Sequence, residues 1–319
     1  MKVLLTGYAG FLGRHIAGVL AAKGWSVRVI MHSLAVRKRD FNKDFEIVWG
    51  DLADPKTIER AVKGVDAIVH SAWVWPHSTG GNDSINTDIA KKMWEQGVAA
   101  GVKKLVFLSS VAVYGMAKRN SPIDEGQPVA SGKDLEPPYP RHKVEAEQYL
   151  LEQSRSQSAM KLAILRPGVL IDDVKGPARM ISLGKTTLAL GFGTGRNSLP
   201  YISARDVADA IIRWLESGKA NVVYNVTPSK SITSREWYKR WGASRNLTPR
   251  PFFVRPFVIL GAGFGITMLK RVMGKKGSML GFKYAMASAT RNLRYSNERL
   301  KSDLGWEDKD TMKYLSNGR

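Results

Sequence analysis

Three glycines, Gly7, Gly10 and Gly13 in TGYAGFLG (6–13), separate a short apolar run, Val3–Thr6, from a helical pattern, Phe11–Lys23. The order strand, glycine turn, helix constrains the chain strongly. The turn must be tight, and its bare backbone allows close approach. The first helical residues, Phe11 and Leu12 among them, then offer amide donors and a positive dipole end. A nucleotide pyrophosphate fits that description. A tight turn without a ligand is the other reading, and the flanking strand and helix favour the nucleotide.

The same alternation continues. Apolar runs at Val3–Thr6, Ser26–Met31, Glu46–Trp49, Ala67–His70, Leu105–Leu108 and Leu162–Arg166 are interspersed with helical patterns at Phe11–Lys23, Ile58–Val62, Ile85–Ala100 and Arg141–Glu152. Continuous apolar runs belong to strands covered on both faces. The expectation is an α/β fold with a doubly wound parallel sheet, built by residues 1–166. After Arg166-Pro167 the pattern is irregular, apart from a helix at Asp206–Leu215 and a strand at Val222–Val226. Residues 167–319 are expected to form mainly a smaller, substrate-binding lobe, with about 200–226 rejoining the first domain.

Composition excludes several classes. The 319 residues contain no cysteine, which removes disulfides, thiolate nucleophiles and Cys-ligated zinc. The five histidines lack metal-ligand spacing, so no metal is expected. No window holds the roughly 18 uninterrupted apolar residues of a membrane span. Met1-Lys2 leads directly into an apolar strand without a signal-peptide pattern, so a cytoplasmic location is expected. The net charge of +21 draws the chain to anionic partners. No zinc-finger or RNP-like motif accompanies it, which argues against nucleic acid and for an anionic membrane surface or polyanionic substrate.

Tyr139 and Lys143 stand at the start of a helical pattern, four residues apart and hence on one face. An ammonium beside a phenol favours the phenolate and lowers the tyrosine pKa, giving an acid/base for an alcohol oxygen. Tyr114 and Lys118 repeat the spacing, but Gly115 follows Tyr114 in a strand-end turn where no helix aligns the pair. Pro140 suits a first helical turn. Ser109-Ser110 closes a buried strand.

The end of the second strand bears on cofactor choice. An acid there would bind a ribose 2′-hydroxyl. The sequence is instead Met31-His32-Ser33, with Arg37-Lys38-Arg39 following. His32 and Arg37 thus favour a 2′-phosphate, hence NADP over NAD; a solvated loop is the alternative for the cations. In Gly50-Asp51-Leu52, the Asp51 carboxylate can accept from an adenine amino group while Leu52 packs on the ring. A helix cap before Pro55 is the equal alternative for Asp51.

In order, TGYAGFLG (6–13), GDL (50–52), HSAW (70–73), SSVAVYG (109–115), YPRHK (139–143), LRPG (165–168) and YISARDVADAI (201–211) resemble the extended short-chain dehydrogenase/reductases, the NAD-dependent epimerase/dehydratase superfamily. The resemblance implies a Rossmann domain and hydride transfer with NAD or NADP. It implies Tyr139 as acid/base, Lys143 as its activator and a nicotinamide-ribose ligand, and Ser110 as the group that bonds the substrate oxygen. Ser71, Ala72, Trp73, Asn86 and the Pro167-Gly168 turn are implied to line the cofactor. Trp73 and Trp75 have core packing as their plain alternative, and Asn86 a helix cap.

Departures from the family pattern bear on substrate. Val111 and Ala112 follow Ser110 where sugar-nucleotide dehydratases carry Asp-Glu. Val169 and Leu199 stand where many sugar-nucleotide enzymes use Asn and Arg, although Arg179, Lys185 or Arg196 can substitute. The LRPG turn is similar to hydroxysteroid-dehydrogenase-like reductases and to epimerases of polyprenyl-linked sugars. The expected function is reversible hydride transfer at a secondary alcohol or ketone of an apolar or lipid-linked molecule. The alternatives are a 4-epimerase of a nucleotide- or lipid-linked sugar that retains NAD, and a non-catalytic dinucleotide-binding regulator or scaffold. A homodimer is compatible with the sequence. Pro256–Leu269 is an uncharged apolar run with Arg250 and Arg255 before it and Lys270, Arg271, Lys275 and Lys276 after it. A buried lobe element and an interfacial helix on anionic lipid are both open.

Overall fold

The computed structural model describes residues 1–32, 44–74, 84–115, 122–135, 138–156, 159–171, 180–183, 186–192, 194–243, 250–272 and 292–316. Expectations placed on Arg37–Arg39, Trp75, Lys118, Arg179, Lys185 and Lys275-Lys276 lie outside the described residues.

Strands β1 (Lys2–Thr6), β2 (Ser26–Met31), β3 (Glu46–Trp49), β4 (Ala67–His70), β5 (Lys104–Leu108) and β6 (Lys161–Pro167) form the first part of the chain. Shorter strands follow: β7 (Val169–Ile171), β8 (Met180–Leu183), β9 (Thr186–Phe192), β10 (Ser198–Leu199), β11 (Tyr201–Ser203), β12 (Val222–Val226), β13 (Ile232–Thr233) and β14 (Arg250–Val254). Seven of them make one sheet in the order β12-β6-β5-β4-β1-β2-β3. Every pairing in it is parallel. The chain therefore winds outward from β1 through β2 to β3, then returns to β4 on the other side. That reversal opens a crevice beyond the carboxyl ends of β1 and β4, where α/β sheets bind ligands.

Both faces of the sheet are covered. Helices α1 (Phe11–Ala22), α2 (Pro55–Val62), α3 (Ile85–Ala99), α4 (Pro138–Ser156) and α5 (Ala204–Glu216) do this work. Successive β1 residues point to opposite layers. Val3 and Leu5 join one apolar cluster with Ile16 and Leu20 of α1 and Ile211 and Trp214 of α5. Leu4 joins the other, with Ile58, Trp94 and Leu150 of α2, α3 and α4. This two-sided burial explains why the strands read as uninterrupted apolar runs.

Three boundaries differ from the sequence expectation for local reasons. Helix α2 starts at Pro55, before Ile58, because Asp54 caps it by accepting from Lys56 N at 3.1 Å and Pro55 needs no donor partner. Helix α4 starts at Pro138, so Tyr139 lies inside its first turn. Helix α5 starts at Ala204, where the Ser203 side chain accepts from Asp206 N at 3.0 Å.

The remaining chain splits between two places. β8, β9 and β14 make a separate three-stranded sheet, accompanied in the chain by α6 (Ser234–Ala243) and α7 (Pro256–Val272). Helices α8 (Glu298–Leu304) and α9 (Lys309–Ser316) return to the main unit. Between them Trp306 is fully buried and its Nε1 donates to Asp206 O at 3.0 Å. The Asp206 carboxylate accepts from Thr311 N at 2.6 Å and Asp310 N at 3.0 Å, which caps α9.

Candidate active site

The glycine turn closes on the chain that leaves β4. Gly7 has φ +81°, and a Cβ there would lie 2.8 Å from the Ala72 backbone. A Cβ on Gly13 would meet Gly7 O at 2.1 Å. Gly10 N donates to Gly7 O at 3.0 Å, which fixes the turn. Helix α1 then begins with no side-chain cap and no acid in its first turn. Its leading amides and positive end are therefore available to an anion.

Thr6 ties this turn to the facing segment. Its Oγ1 accepts from Ala72 N at 3.2 Å and lies 2.8 Å from His70 Nδ1. Burial, aided by the Lys143 charge, pushes the His70 imidazole down to about 3, so it stays neutral. Asn86 supports the same wall from outside. It accepts from Val74 N at 2.9 Å and donates to Val74 O at 2.7 Å, using both ends of its amide on one backbone unit.

A cleft of about 890 Å³ runs along these edges. Its walls include Gly7, Gly10, Phe11, Leu12, Gly13, His32, Asp51, Leu52, Ser71, Ala72 and Trp73, with Ser110, Tyr139, Lys143, Pro167 and Gly168 further along. Asn86 is absent from the walls, because Val74 takes up its amide. Arg196, weighed as a diphosphate partner, is not on them either. Asp51 lines the cleft while its Oδ1 accepts from Ala53 N at 2.9 Å, and the helix cap considered for it belongs to Asp54. The structure adds Tyr8, Met31, Val74, Leu108, Ser109 and Leu170. Met31 and Leu108 were recoverable as carboxyl ends of sheet strands. Leu170 was not, since the chain beyond Pro167 shows no period.

At one end, α4 carries Tyr139 to the loop after β5. The Tyr139 and Ser110 hydroxyls are hydrogen-bonded. Ser110 Oγ also accepts from Ala112 N at 3.1 Å, which holds it at the head of a 3₁₀ turn. Trp73 packs edge-on against the Tyr139 ring at 4.7 Å between centroids. Lys143 Nζ lies 5.3 Å from the Trp73 ring and 4.8 Å from the Phe107 ring. Burial raises the Tyr139 hydroxyl above its ordinary range, with the Ser110 bond pulling the other way. The Lys143 ammonium donates to Leu108 O at 2.6 Å. Burial brings Lys143 down to about 8, with Glu147 opposing the shift.

Tyr114 is occupied elsewhere. It is fully buried, its hydroxyl accepts from Arg166 Nη1 at 2.8 Å, and it lies 2.9 Å from Asn225 Oδ1. The neighbouring Ser109 differs from Ser110: its Oγ is buried at the cleft wall and has no hydrogen-bond partner. An orphaned hydroxyl, unclaimed helix amides and glycine-bounded walls together fit a dinucleotide. Among the described residues no cluster of side chains could hold a metal ion, and no helix is long and apolar enough to cross a membrane.

Comparison with known proteins agrees with this geometry. The model of the NAD dependent epimerase/dehydratase family matches residues 3–227. The chain is 23% identical to a decarboxylating sterol-4-alpha-carboxylate 3-dehydrogenase of Dictyostelium discoideum, across 97% of this chain and 96% of that protein. It is 26% identical to the N-acetyl-alpha-D-glucosaminyl-diphospho-ditrans,octacis-undecaprenol 4-epimerase of Escherichia coli O157:H7, across 86% of this chain and 82% of that one. Among solved structures, the UDP-glucose 4-epimerase of Thermotoga maritima superposes with a TM-score of 0.75 at 19% identity, covering 100% of this chain and 97% of the other. At that identity the last likeness shows the fold alone.

Proposed function

The chain belongs to the NAD dependent epimerase/dehydratase family, an enzyme family of nicotinamide hydride chemistry, and we propose that it interconverts a secondary alcohol and ketone on an apolar or lipid-linked molecule, preferring NADP(H). The observation that carries the reading is the Tyr139–Ser110 hydroxyl pair at the end of a dinucleotide-sized cleft, with Lys143 behind it. A bound nicotinamide supplies the hydride donor or acceptor. Tyr139 Oη gives its proton to the ketone oxygen in reduction and takes it back in oxidation. Ser110 Oγ, held by Ala112 N, donates to the same oxygen and orients it. Lys143 keeps a positive charge near the phenol when the proton leaves it. The glycine turn and the leading amides of α1 would hold the pyrophosphate, and Asp51 and Leu52 would receive the adenine.

The NADP preference rests on the absence of an acid after β2, where His32 lines the cleft. The apolar substrate is supported by Leu170 on the wall. It is also supported by relatives named for a sterol carboxylate and an undecaprenol-linked sugar. The test is mass spectrometry of the cofactor that co-purifies, followed by NADPH oxidation against apolar ketones. Loosely held NADPH and net oxidation are expected. The second reading, a 4-epimerase acting through the same three residues, is favoured by the likeness to the undecaprenol-linked 4-epimerase. Tightly retained NAD and turnover without net cofactor consumption would select it.

A further inference from the structure

Helix α7 presents an apolar side outward. Phe257, Val258, Phe264 and Met268 are 66%, 48%, 58% and 45% exposed. Gly263 and Thr267 on its other side are buried. Phe257, Gly261, Phe264 and Met268 recur at helical spacing and form one exposed stripe, roughly 16 Å long at 1.5 Å per residue. Val258, Ala262 and Gly265 run beside it and are exposed as well. Elsewhere among the described residues, exposed large hydrophobics stand singly at Met1, Trp49, Val169 and Met312. A contiguous stripe, unlike scattered residues, marks an interaction surface.

Charge identifies what the stripe meets. From Trp237 to Asn297 the sequence contains twelve Lys and Arg and no Asp or Glu. This stretch holds α7 and supplies more than half of the net charge of +21. The helix carries no charge from Pro256 to Leu269; exposed Arg255 precedes that run, and Lys270 and Arg271 follow it in sequence. We propose that α7 lies in the plane of an anionic lipid bilayer, with its exposed stripe seated at the boundary of headgroups and acyl chains. Its seventeen residues reach about 25 Å, short of a hydrocarbon core of about 30 Å, so the helix lies on the bilayer and does not cross it. A second copy of the chain is disfavoured as the occupant, because pairing two such surfaces brings two acid-free, cation-rich stretches together. Each basic residue near an anionic leaflet adds roughly fivefold to affinity, and salt screens that gain.

The proposal is separate from the hydride reading and is tested by binding, with no turnover required. The full chain is sedimented with vesicles of phosphatidylcholine alone and of phosphatidylcholine mixed with phosphatidylglycerol, at low and high salt. Binding to the mixed vesicles at low salt is expected, weakened by salt. The double variant Phe257→Ser/Phe264→Ser should bind at least about tenfold more weakly with unchanged thermal unfolding, since both side chains are exposed. The chain has no cysteine, so Phe264→Cys can carry a single environment-sensitive dye. Its emission should shift to the blue on mixed vesicles, whereas the same dye on Glu59→Cys of α2 should not. Absence of binding at low salt overturns the proposal. So does binding that the serine variant leaves intact, which would be charge attraction alone. Self-association that the serine variant abolishes, without vesicle binding, would make a second copy the occupant. Vesicle binding lost with NADPH-dependent turnover intact rejects only this proposal, and the converse result rejects only the hydride reading.

Discussion

Lys143 Nζ donates to Leu108 O at 2.6 Å, so the ammonium on the face of α4 that it shares with Tyr139 is anchored to the carboxyl end of β5. The helical spacing of Tyr139 and Lys143 places both on one face, but the lysine spends a donor on the sheet and sits between the Trp73 and Phe107 rings. Tyr139 meanwhile shares its hydrogen bond with Ser110. In the proposed reaction Tyr139 and Ser110 are therefore the proton-handling pair, and Lys143 acts through its charge. Before ligands bind, burial holds the phenol protonated, which is the form that donates a proton to a ketone.

Tyr139→Phe should lower turnover by about 10²–10⁴ and leave cofactor affinity within a few-fold, since only the phenolic proton is removed. Tyr114→Phe should leave turnover near normal and cost about 1 kcal/mol of stability, because its hydroxyl bonds Arg166 in the interior. NADPH oxidation and urea unfolding on both variants provide the comparison. A crippled Tyr114→Phe beside an active Tyr139→Phe would reverse the assignment of the two tyrosines.

Lys143→Met should abolish turnover and yet stabilise the fold near neutral pH. The Lys143 pKa falls from 10.5 to about 8 on folding, through burial. Between those values the unfolded chain binds more protons than the folded one, so stability rises with pH through that window. Below about 8 the buried ammonium carries its full cost, on the order of 3 kcal/mol. Loss of the bond to Leu108 offsets about 1 kcal/mol of the gain. Urea unfolding should show the variant ahead at pH 7 and its lead shrinking by pH 10. A variant less stable at pH 7 would contradict the burial cost.

The main sheet was readable because its inner strands are buried on both faces and each strand ends where an apolar run ends, although β3 at the edge is only partly buried. β2, β3 and β4 begin and stop at the residues expected, and β1, β5 and β6 within one. Helix starts were less readable, since the Asp54 cap and prolines 55 and 138 extend α2 and α4 beyond their periodic cores. The clasp between Asp206 and Thr311 joins residues more than one hundred positions apart, and no local pattern announces it. The stretch Pro256–Leu269 was legible as uncharged and apolar, but its outward-facing stripe depends on the lobe beneath it. At the site, motif spacing identified residues that the fold brings to one cleft. It did not reveal that Asn86 would be spent on Val74 or that Lys143 would turn to Leu108.

His32→Asp should move cofactor choice toward NAD(H). His32 follows β2 directly and lines the cleft where a carboxylate would accept from a ribose 2′-hydroxyl and repel a 2′-phosphate. Fluorescence titration should show NADPH affinity falling at least about tenfold while NADH affinity holds or improves. Arg37→Ala should weaken NADPH alone. Tighter NADH than NADPH binding in the parent chain, indifferent to both changes, would remove the NADP preference and favour the epimerase reading.

The buried pair Arg166–Glu147 offers a test of how the site is supported. Arg166 Nη2 lies 2.5 Å from Glu147 Oε2, and Nε reaches both carboxylate oxygens at 3.1 and 3.2 Å. The two side chains are 4% and 2% exposed. Glu147 is one helical turn beyond Lys143, and its charge holds the lysine pKa up against burial. Glu147→Gln leaves the Arg166 guanidinium buried without its counter-charge, and Arg166→Met does the same to the carboxylate. Each should cost about 3–5 kcal/mol. The double variant Glu147→Met/Arg166→Met removes both charges and should be less destabilised than either single change, giving a coupling above about 2 kcal/mol in a double-mutant cycle. Glu147→Gln should also push Lys143 further down, so any limb of the pH–rate profile set by that lysine moves to lower pH. Arg166→Met exposes Lys143 to an unneutralised carboxylate, and the same limb should move the other way. Singles that cost under about 1 kcal/mol and simply add would show that the pair is not what fixes α4 against β6.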